Sequence, residues 1–309
     1  MIPFGYNNDM TIDFIKKVNN ISKNIDSVVP YNELRKIDKE ELFTTIKLFY
    51  KEYFPNISID LEKILEDDAK GYIDKSGVIP KKVSHRIKYL FTKEEKESIT
   101  NSDLSSNIYL NGTINDYFTL AREYMHLIGF FNDKKTNSKS DLIEVESSYV
   151  ERLLNEYLLE NELITEDESY NLDKLRNNKL YEASHYCNEV INGKESDTDK
   201  FTKSMQIIYG ELFSNELFDI YKSGEERAIE VFETYMSHKS TYDNMVMFME
   251  HFLLDNNMIL EDYIKHVEKL EKIPKMEINY SNKDRIRGLK KLRMRIFNKG
   301  DRNHGEKRI

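Results

Sequence analysis

The most informative stretch of this 309-residue sequence runs from Asn107 to Leu127 and reads NIYLNGTINDYFTLAREYMHL. Its first five residues include Ile, Tyr and Leu and are followed by Gly112, a pattern typical of a short strand that ends in a turn. After the glycine, Thr113 or Asp116 can cap a helix whose apolar residues recur every three or four positions. The stretch therefore predicts a strand that leads directly into an amphipathic helix.

The sequence on both sides of this stretch favours helices. Apolar residues recur at helical spacing over 12–25, 39–53 and 60–70, and over most of 143–272. The chain has only 11 Gly and 5 Pro, so few residues interrupt long helices. Mixed signals between about 72 and 112 predict a small β-sheet or hairpin in a fold that is otherwise mainly α.

The charge of the chain is unevenly distributed. The net charge is −9, but residues 283–309 carry +8 and the residues before them carry −17. In the tail, basic residues alternate with Ile, Leu, Met and Phe, a composition that can bind an anionic membrane surface or nucleic acid. A basic tail can equally dock on its own acidic body. Both alternatives stay open.

Two further features bear on the compartment. The sequence contains neither an apolar run of the roughly 18 residues that a membrane span needs nor the pattern of a signal peptide at the first residues. We expect a cytoplasmic protein, with export by a specialised system as the remaining route. Cys187 is the single cysteine, which excludes an intrachain disulfide, and we expect it to be a small buried hydrophobe.

The helix of the opening stretch carries the residues of chemical interest. Arg122, Glu123 and His126 have the spacing of an HExxH motif in which arginine replaces the first histidine. In that motif two histidines four apart bind zinc, the glutamate activates a zinc-bound water, and a later carboxylate completes the ligand set. Glu144, 18 residues after His126, is the candidate for that carboxylate.

These motifs resemble the oligoendopeptidase F and thimet oligopeptidase family of zinc peptidases. The stretch 107–127 is similar to the family's strand, Gly-Thr turn and TLAHE-type helix, and 144–151 is similar to its E-x-P-S-x-x-x-E helix. Weaker similarity extends to Gly71-Tyr72-Ile73-Asp74 and to Ile208-Tyr209-Gly210, where the family has a tyrosine-bearing helix. The resemblance covers roughly residues 40 to 270.

The resemblance implies a helical zincin-like catalytic lobe. The expected segments are an N-terminal helical segment over 1–70, the lobe over 71–272 with its active-site segment at 105–151, and a basic tail over 273–309. The implied roles are general base for Glu123, zinc ligands for His126 and Glu144, and transition-state donor for Tyr209, with Arg122 and Tyr124 as binding residues.

One departure from the family pattern decides the expected activity. A guanidinium stays protonated and has no lone pair, so Arg122 cannot ligate a metal. The family's cofactor is zinc, and this substitution predicts that the chain has lost it. Ser147 also follows Glu146 where the family has proline before serine, and Tyr124-Met125 replaces small residues.

Three interpretations of the motif remain. The leading one is a pseudopeptidase in which the Arg122 cation takes the place of the metal, pairs with Glu144 or Glu123, and leaves a cleft that binds a peptide or protein. The second is an active metallopeptidase that cleaves short peptides through a relocated ligand such as His185 or His238. The third is a helical scaffold whose charges on this helix are ordinary solvated groups.

The length of the chain adds one expectation about partners. The family's enzymes are considerably longer and have an N-terminal helical lobe that forms one wall of the substrate channel. We therefore expect a cleft that is open, or one that a partner subunit completes.

Overall fold

The computed structural model of the protein describes residues 9–70, 86–92, 96–136, 143–224, 228–230, 232–233 and 256–274. The long helices are α1 (Asp9–Ile21), α2 (Lys39–Tyr53), α3 (Pro55–Lys70), α4 (Asn115–Thr136), α5 (Ile143–Glu160), α6 (Glu166–Ile191), α7 (Thr198–Lys222) and α8 (Asn256–Lys272). The strands are β1 (Ile87–Phe91), β2 (Ile99–Thr100) and β3 (Ser106–Leu110). The predicted mainly α fold with a small sheet is confirmed.

The sheet has β3 at its centre. β1 pairs with β3 in parallel, with Tyr89 opposite Ile108, and β2 pairs with its other side in antiparallel orientation, with Ile99 opposite Asn107. Within β3, alternate residues are buried, as period-two side-chain alternation requires. Among the described strands, β2 therefore lies at an edge of the sheet.

The turn between β3 and α4 is closed by Asp116. Its carboxylate accepts hydrogen bonds from the backbone N–H groups of Asn111 and Gly112, at 3.0 and 2.7 Å. Gly112 has a φ of +74°, a left-handed conformation that glycine adopts without a Cβ clash. Asp116 lies in the first turn of α4, where its charge also favours the positive end of the helix dipole. The turn thereby fixes the helical register of α4.

α5, α6 and α7 pack together beside α4. α6 begins at a capping box, in which the Thr165 hydroxyl accepts from the N–H of Glu168 and the Glu168 carboxylate accepts from the N–H of Thr165. α5 and α7 approach closely at Gly210, where an added Cβ would lie 2.9 Å from the carbonyl oxygen of Glu144. The missing side chain at Gly210 therefore sets the spacing of these two helices.

A single hydrophobic core joins residues from α1 through α8. The described part of the predicted N-terminal segment shares this core with the predicted lobe; Val18 and Leu61 lie in it together with Leu154 and Val267. Cys187 is fully buried, as expected for a small hydrophobe, and burial raises the pKa of its thiol to about 12. In the described ranges, no helix combines the length and the apolar character needed to cross a membrane.

Candidate functional site

The candidate site is built on one face of α4. Glu123 and His126 are nearly buried and Arg122 is about one-sixth exposed, whereas Ala121 and Met125 are completely enclosed by the core. Arg122 and His126 are four residues apart and therefore share a face of the helix. The turn at the start of α4 and the packing of its apolar residues together direct this face towards α5.

Arg122 pairs with two carboxylates of α5. One of its terminal nitrogens, Nη2, donates to Glu144 Oε2, and the other, Nη1, donates to Glu151 Oε1 at 3.2 Å. Glu144 and Glu151 are seven residues apart, which places both on the α4-facing side of α5. Burial acts to lower the pKa of Arg122, but the negative charges of Glu144 and Glu151 outweigh it and raise the pKa. The guanidinium is fully charged.

Both carboxylates are ionised in this environment. Burial acts to raise the pKa of Glu144, but the charge of Arg122, with smaller contributions from nearby cations, outweighs it and holds the pKa at about 2. The pKa of Glu151 is likewise lowered against its burial by Arg122 and Arg176. Arg176, on α6, donates from Nε to Glu151 Oε2 at 3.3 Å. The result is a compensated ion cluster shared by three helices.

His126 lies beside this cluster without joining it through a hydrogen bond. Its Nε2 is 3.9 Å from Glu144 Oε1, and its Nδ1 is buried with no hydrogen-bond partner among the residues that the structure describes. Burial lowers the pKa of His126, and the charge of Glu144 does not compensate. The imidazole is therefore neutral at pH 7.

Glu123 is bound to the edge strand. The Thr100 hydroxyl of β2 donates to Glu123 Oε2 at 2.5 Å, and the same hydroxyl lies 2.7 Å from the Ser106 hydroxyl of β3. Glu123 is 4% exposed. The carboxylate that the resemblance assigns as general base thus connects α4 to the sheet through a short chain of hydroxyl groups.

The residues present do not fit a zinc ion. His126 and Glu144 converge, but at the position of the motif's first histidine Arg122 has a guanidinium that has no lone pair and is itself paired with Glu144. In the portion of the chain that the structure describes, no group of three or more His, Cys, Asp or Glu side chains could hold a metal ion.

Two residues expected at the site lie elsewhere. Tyr124 is 2% exposed, and its hydroxyl lies 2.9 Å from the Tyr89 hydroxyl on β1, so it belongs to the core and not to a binding surface. Tyr209 stacks on the Phe14 ring of α1, with ring centroids 5.8 Å apart. Because successive helix residues point about 100° apart, the approach of Gly210 to Glu144 turns Tyr209 away from the cluster.

The face of α4 opens into a cavity of about 660 Å³. Arg122, Glu123, His126 and Glu144 all line it, together with residues of β2 and of the segment before it. Sequence reasoning did not identify several other lining residues, which are Thr100, Glu151, Arg176 and Lys179. The seven-residue spacing from Glu144 is a signal that could have identified Glu151, but no local pattern marks the other three.

The remaining sequence-based candidates do not extend this site. His185 is exposed and stacks on Tyr181, and it is not among the described residues that line the cavity. The segment Gly71-Tyr72-Ile73-Asp74, His238 and the basic tail over 283–309 lie outside the described residues. Of the tail predicted over 273–309, only Ile273 and Pro274 are described.

The geometry thus consists of a compensated Arg–Glu cluster, a neutral histidine and a hydroxyl-bound glutamate at the base of one cavity. In the comparisons with known proteins, no family model, no curated protein and no solved structure matches this chain.

Proposed function

We propose that this protein is a catalytically inactive homologue of zinc peptidases that binds an extended peptide in the cavity at α4. The observation that carries the proposal is the pairing of the Arg122 guanidinium with Glu144 and Glu151. A cation is present where the motif's spacing would otherwise supply a metal ligand, so the two carboxylates are compensated without a metal.

The state of Glu123 supports the absence of hydrolysis. A general base must lie within hydrogen-bond reach of the water that it activates. Here the hydroxyl of Thr100 already donates to Glu123 Oε2, so one of the two carboxylate oxygens is engaged within the protein. His126 is neutral, and Arg122 is a permanent cation that can stabilise negative charge but cannot polarise a water as a Lewis acid does.

The shape and composition of the cavity support peptide binding. Its volume of about 660 Å³ falls within the range of typical ligand pockets. Among the described strands, β2 has no strand on its outer side, and its Ile99 is 54% exposed while lining the cavity. An extended peptide can add to such an edge through main-chain hydrogen bonds, with side-chain pockets giving specificity.

The test is to incubate purified protein with pools of random octapeptides and to measure both retention and cleavage by mass spectrometry. We expect retention of a subset of peptides with no new termini. Ile99→Arg should reduce the affinity of retained peptides at least tenfold, because it places a charged side chain at the edge strand without disturbing the core.

A matched control is Ile264→Arg on α8, a residue that is also exposed and does not line the cavity. This variant should retain the same peptides as wild type. Zinc-dependent cleavage that Glu123→Gln abolishes would show that the protein is an active peptidase and that the proposal is wrong. Equal retention by Ile99→Arg and wild type would show that peptides bind elsewhere.

A further inference from the structure

The cavity contains a cation that no described group neutralises directly. Lys179 on α6 lines the cavity and is partly buried. Arg122 and Arg176 are both paired with carboxylates, and Lys203 is paired with Glu97 at 2.5 Å. Among the described residues, Lys179 has no partner for a hydrogen bond or ion pair.

We propose that the Lys179 ammonium binds a carboxylate group of the peptide that occupies the cavity. The inference rests on the proposed function, since it assigns a chemical class to the ligand of that site. The shared chemistry is a carboxylate, which either the C-terminus of the peptide or an acidic side chain can supply. The single ammonium of lysine is a compact point charge suited to one such group.

The carboxylates near Lys179 do not supply the counter-charge for its ammonium group, because each of them is already paired with an arginine. The carboxylates that act on Lys179 belong to Glu144, Glu151 and Glu211. Glu144 and Glu151 accept from Arg122, and Glu211 accepts from Arg152 at 2.9 Å. Each of these carboxylates thus already has an arginine guanidinium as its ion-pair partner, without Lys179.

The electrostatics at Lys179 agree with this account. Burial lowers the pKa of its amine, the charge of Arg122 lowers it further, and the three acids do not restore it. A ligand carboxylate beside the amine would stabilise the protonated form in a partly desolvated place, where charge-assisted hydrogen bonds are strong. The arrangement favours an anionic ligand group over a neutral one.

The experiment compares matched octapeptide pools on full-length protein. One pool has a free C-terminal carboxylate and contains no Asp or Glu, a second has the same sequences with C-terminal amides, and a third is amidated but contains Asp and Glu. We expect the first or the third pool to bind about ten- to a hundredfold more tightly than the second, as expected for a hydrogen bond to a charged group. Which of the two does so identifies the source of the carboxylate.

Three variants assign the effect to Lys179. Lys179→Met should remove the preference for the carboxylate-bearing pools over the neutral amidated pool. Lys179→Arg should keep the preference, and so should Lys194→Met, which removes an exposed lysine outside the cavity. If wild type binds all three pools equally, the inference is wrong while the proposed function stands.

A second measurement uses only the wild-type protein. Acetylation of wild-type lysines is followed by mass spectrometry in propionate and, separately, in propionamide. Propionate should slow the acetylation of Lys179 severalfold and leave that of Lys194 unchanged, whereas propionamide should protect neither. If no pool binds, the proposed function fails. Protection of Lys179 by propionate but not by propionamide would still establish a carboxylate site there. Absence of this protection would overturn the inference.

Discussion

The guanidinium of Arg122 on α4 donates to the carboxylate of Glu144 on α5, and the same carboxylate lies 3.9 Å from the imidazole of His126. A permanent cation therefore links α4 to α5. This relationship makes Arg122 a structural residue, and its consequences can be measured.

Loss of the Arg122 charge should destabilise the protein. Arg122→Met leaves Glu144 without its ion-pair partner and Glu151 with only Arg176 and more distant cations, in a largely buried place. Removing one member of a buried pair typically costs about 3–5 kcal/mol. We expect a decrease of about 3 kcal/mol in the free energy of unfolding, measured by urea denaturation.

Two controls accompany this measurement. Lys194→Met breaks an ion pair with Glu189 whose lysine is 65% exposed, and it should cost less than about 1 kcal/mol. The double variant Arg122→Met, Glu144→Gln should recover part of the loss, because it removes the stranded charge. If Arg122→Met and Lys194→Met lowered the free energy of unfolding equally, the buried Arg122 cluster would stabilise the protein no more than an exposed ion pair does.

Introducing histidine at position 122 should create a zinc site. In tetrahedral coordination two ligands that are each about 2.0–2.2 Å from one ion lie about 3.4 Å apart. The separation of His126 Nε2 and Glu144 Oε1 is 3.9 Å, so a small side-chain shift brings both to one ion. Elemental analysis after dialysis against trace zinc should give one equivalent for Arg122→His and none for wild type. Adding His126→Ala should abolish binding. Full occupancy in wild type would contradict the loss of zinc predicted from Arg122.

Acid should weaken the cluster over a defined pH window. The pKa of Glu144 is about 2 in the folded protein, against an ordinary value of 4.5. Because the folded pKa is lowered, the stabilisation is complete above about pH 4.5 and is lost as the pH falls towards 2. At 1.36 kcal/mol per pKa unit the loss is about 3 kcal/mol.

Urea denaturation at several pH values between 6 and 3 measures the part of this loss that occurs above pH 3. Other carboxylates also titrate there, so the informative quantity is the difference between wild type and Arg122→Met. That difference should shrink as the pH falls from 4.5. A difference that is constant over the whole range would show that Arg122 does not control the ionisation of Glu144.

The local features of the fold were predictable from the sequence because they depend on neighbouring residues. The predicted helix at 39–53 coincides with α2, and the predicted strand at 107–111 is β3 within one residue. The helical spacing over 143–272 did not locate the start of α6, which is at Glu166. The missed signal was the Thr165 and Glu168 capping box, which is visible in the sequence.

Features that depend on packing were not predictable from one sequence. The parallel pairing of β1 with β3 joins strands that are distant in sequence, and periodicity carries no information about partners. Arg176 and Lys179 reach the cavity only because α6 packs where it does. The resemblance suggested Tyr209 for the site, but the close contact at Gly210 directs the tyrosine towards Phe14.

The thiol of Cys187 should report global unfolding. It is fully buried, and burial raises its pKa to about 12, so at pH 8 both access and thiolate formation are suppressed. Reaction with a disulfide reagent should be at least a hundredfold slower in native protein than in 6 M guanidinium. Rapid reaction of the native protein would show that the helices around Cys187 open locally.

Gly210→Ala should disturb the Arg122 cluster by displacing the backbone of Glu144. In a helix this change normally gains about 0.5–1 kcal/mol, because glycine has the larger backbone entropy. Here the new Cβ would lie 2.9 Å from the Glu144 carbonyl oxygen and 3.0 Å from its Cβ, so α5 and α7 must separate. Overpacking of this kind typically costs about 1–3 kcal/mol, and we expect a net loss of about 2 kcal/mol in urea denaturation.

The matched reference for Gly210→Ala is the pair Gln206→Ala and Gln206→Gly one turn earlier in α7, which measures helix propensity at a partly buried position without a clash. There alanine should be the more stable of the two, opposite in sign to position 210. Combined with Arg122→Met, Gly210→Ala should cost less than it does in wild type, because Glu144 no longer has to meet a fixed guanidinium. Strict additivity of the two losses would show that the spacing of α5 and α7 and the Arg122–Glu144 pair are energetically independent.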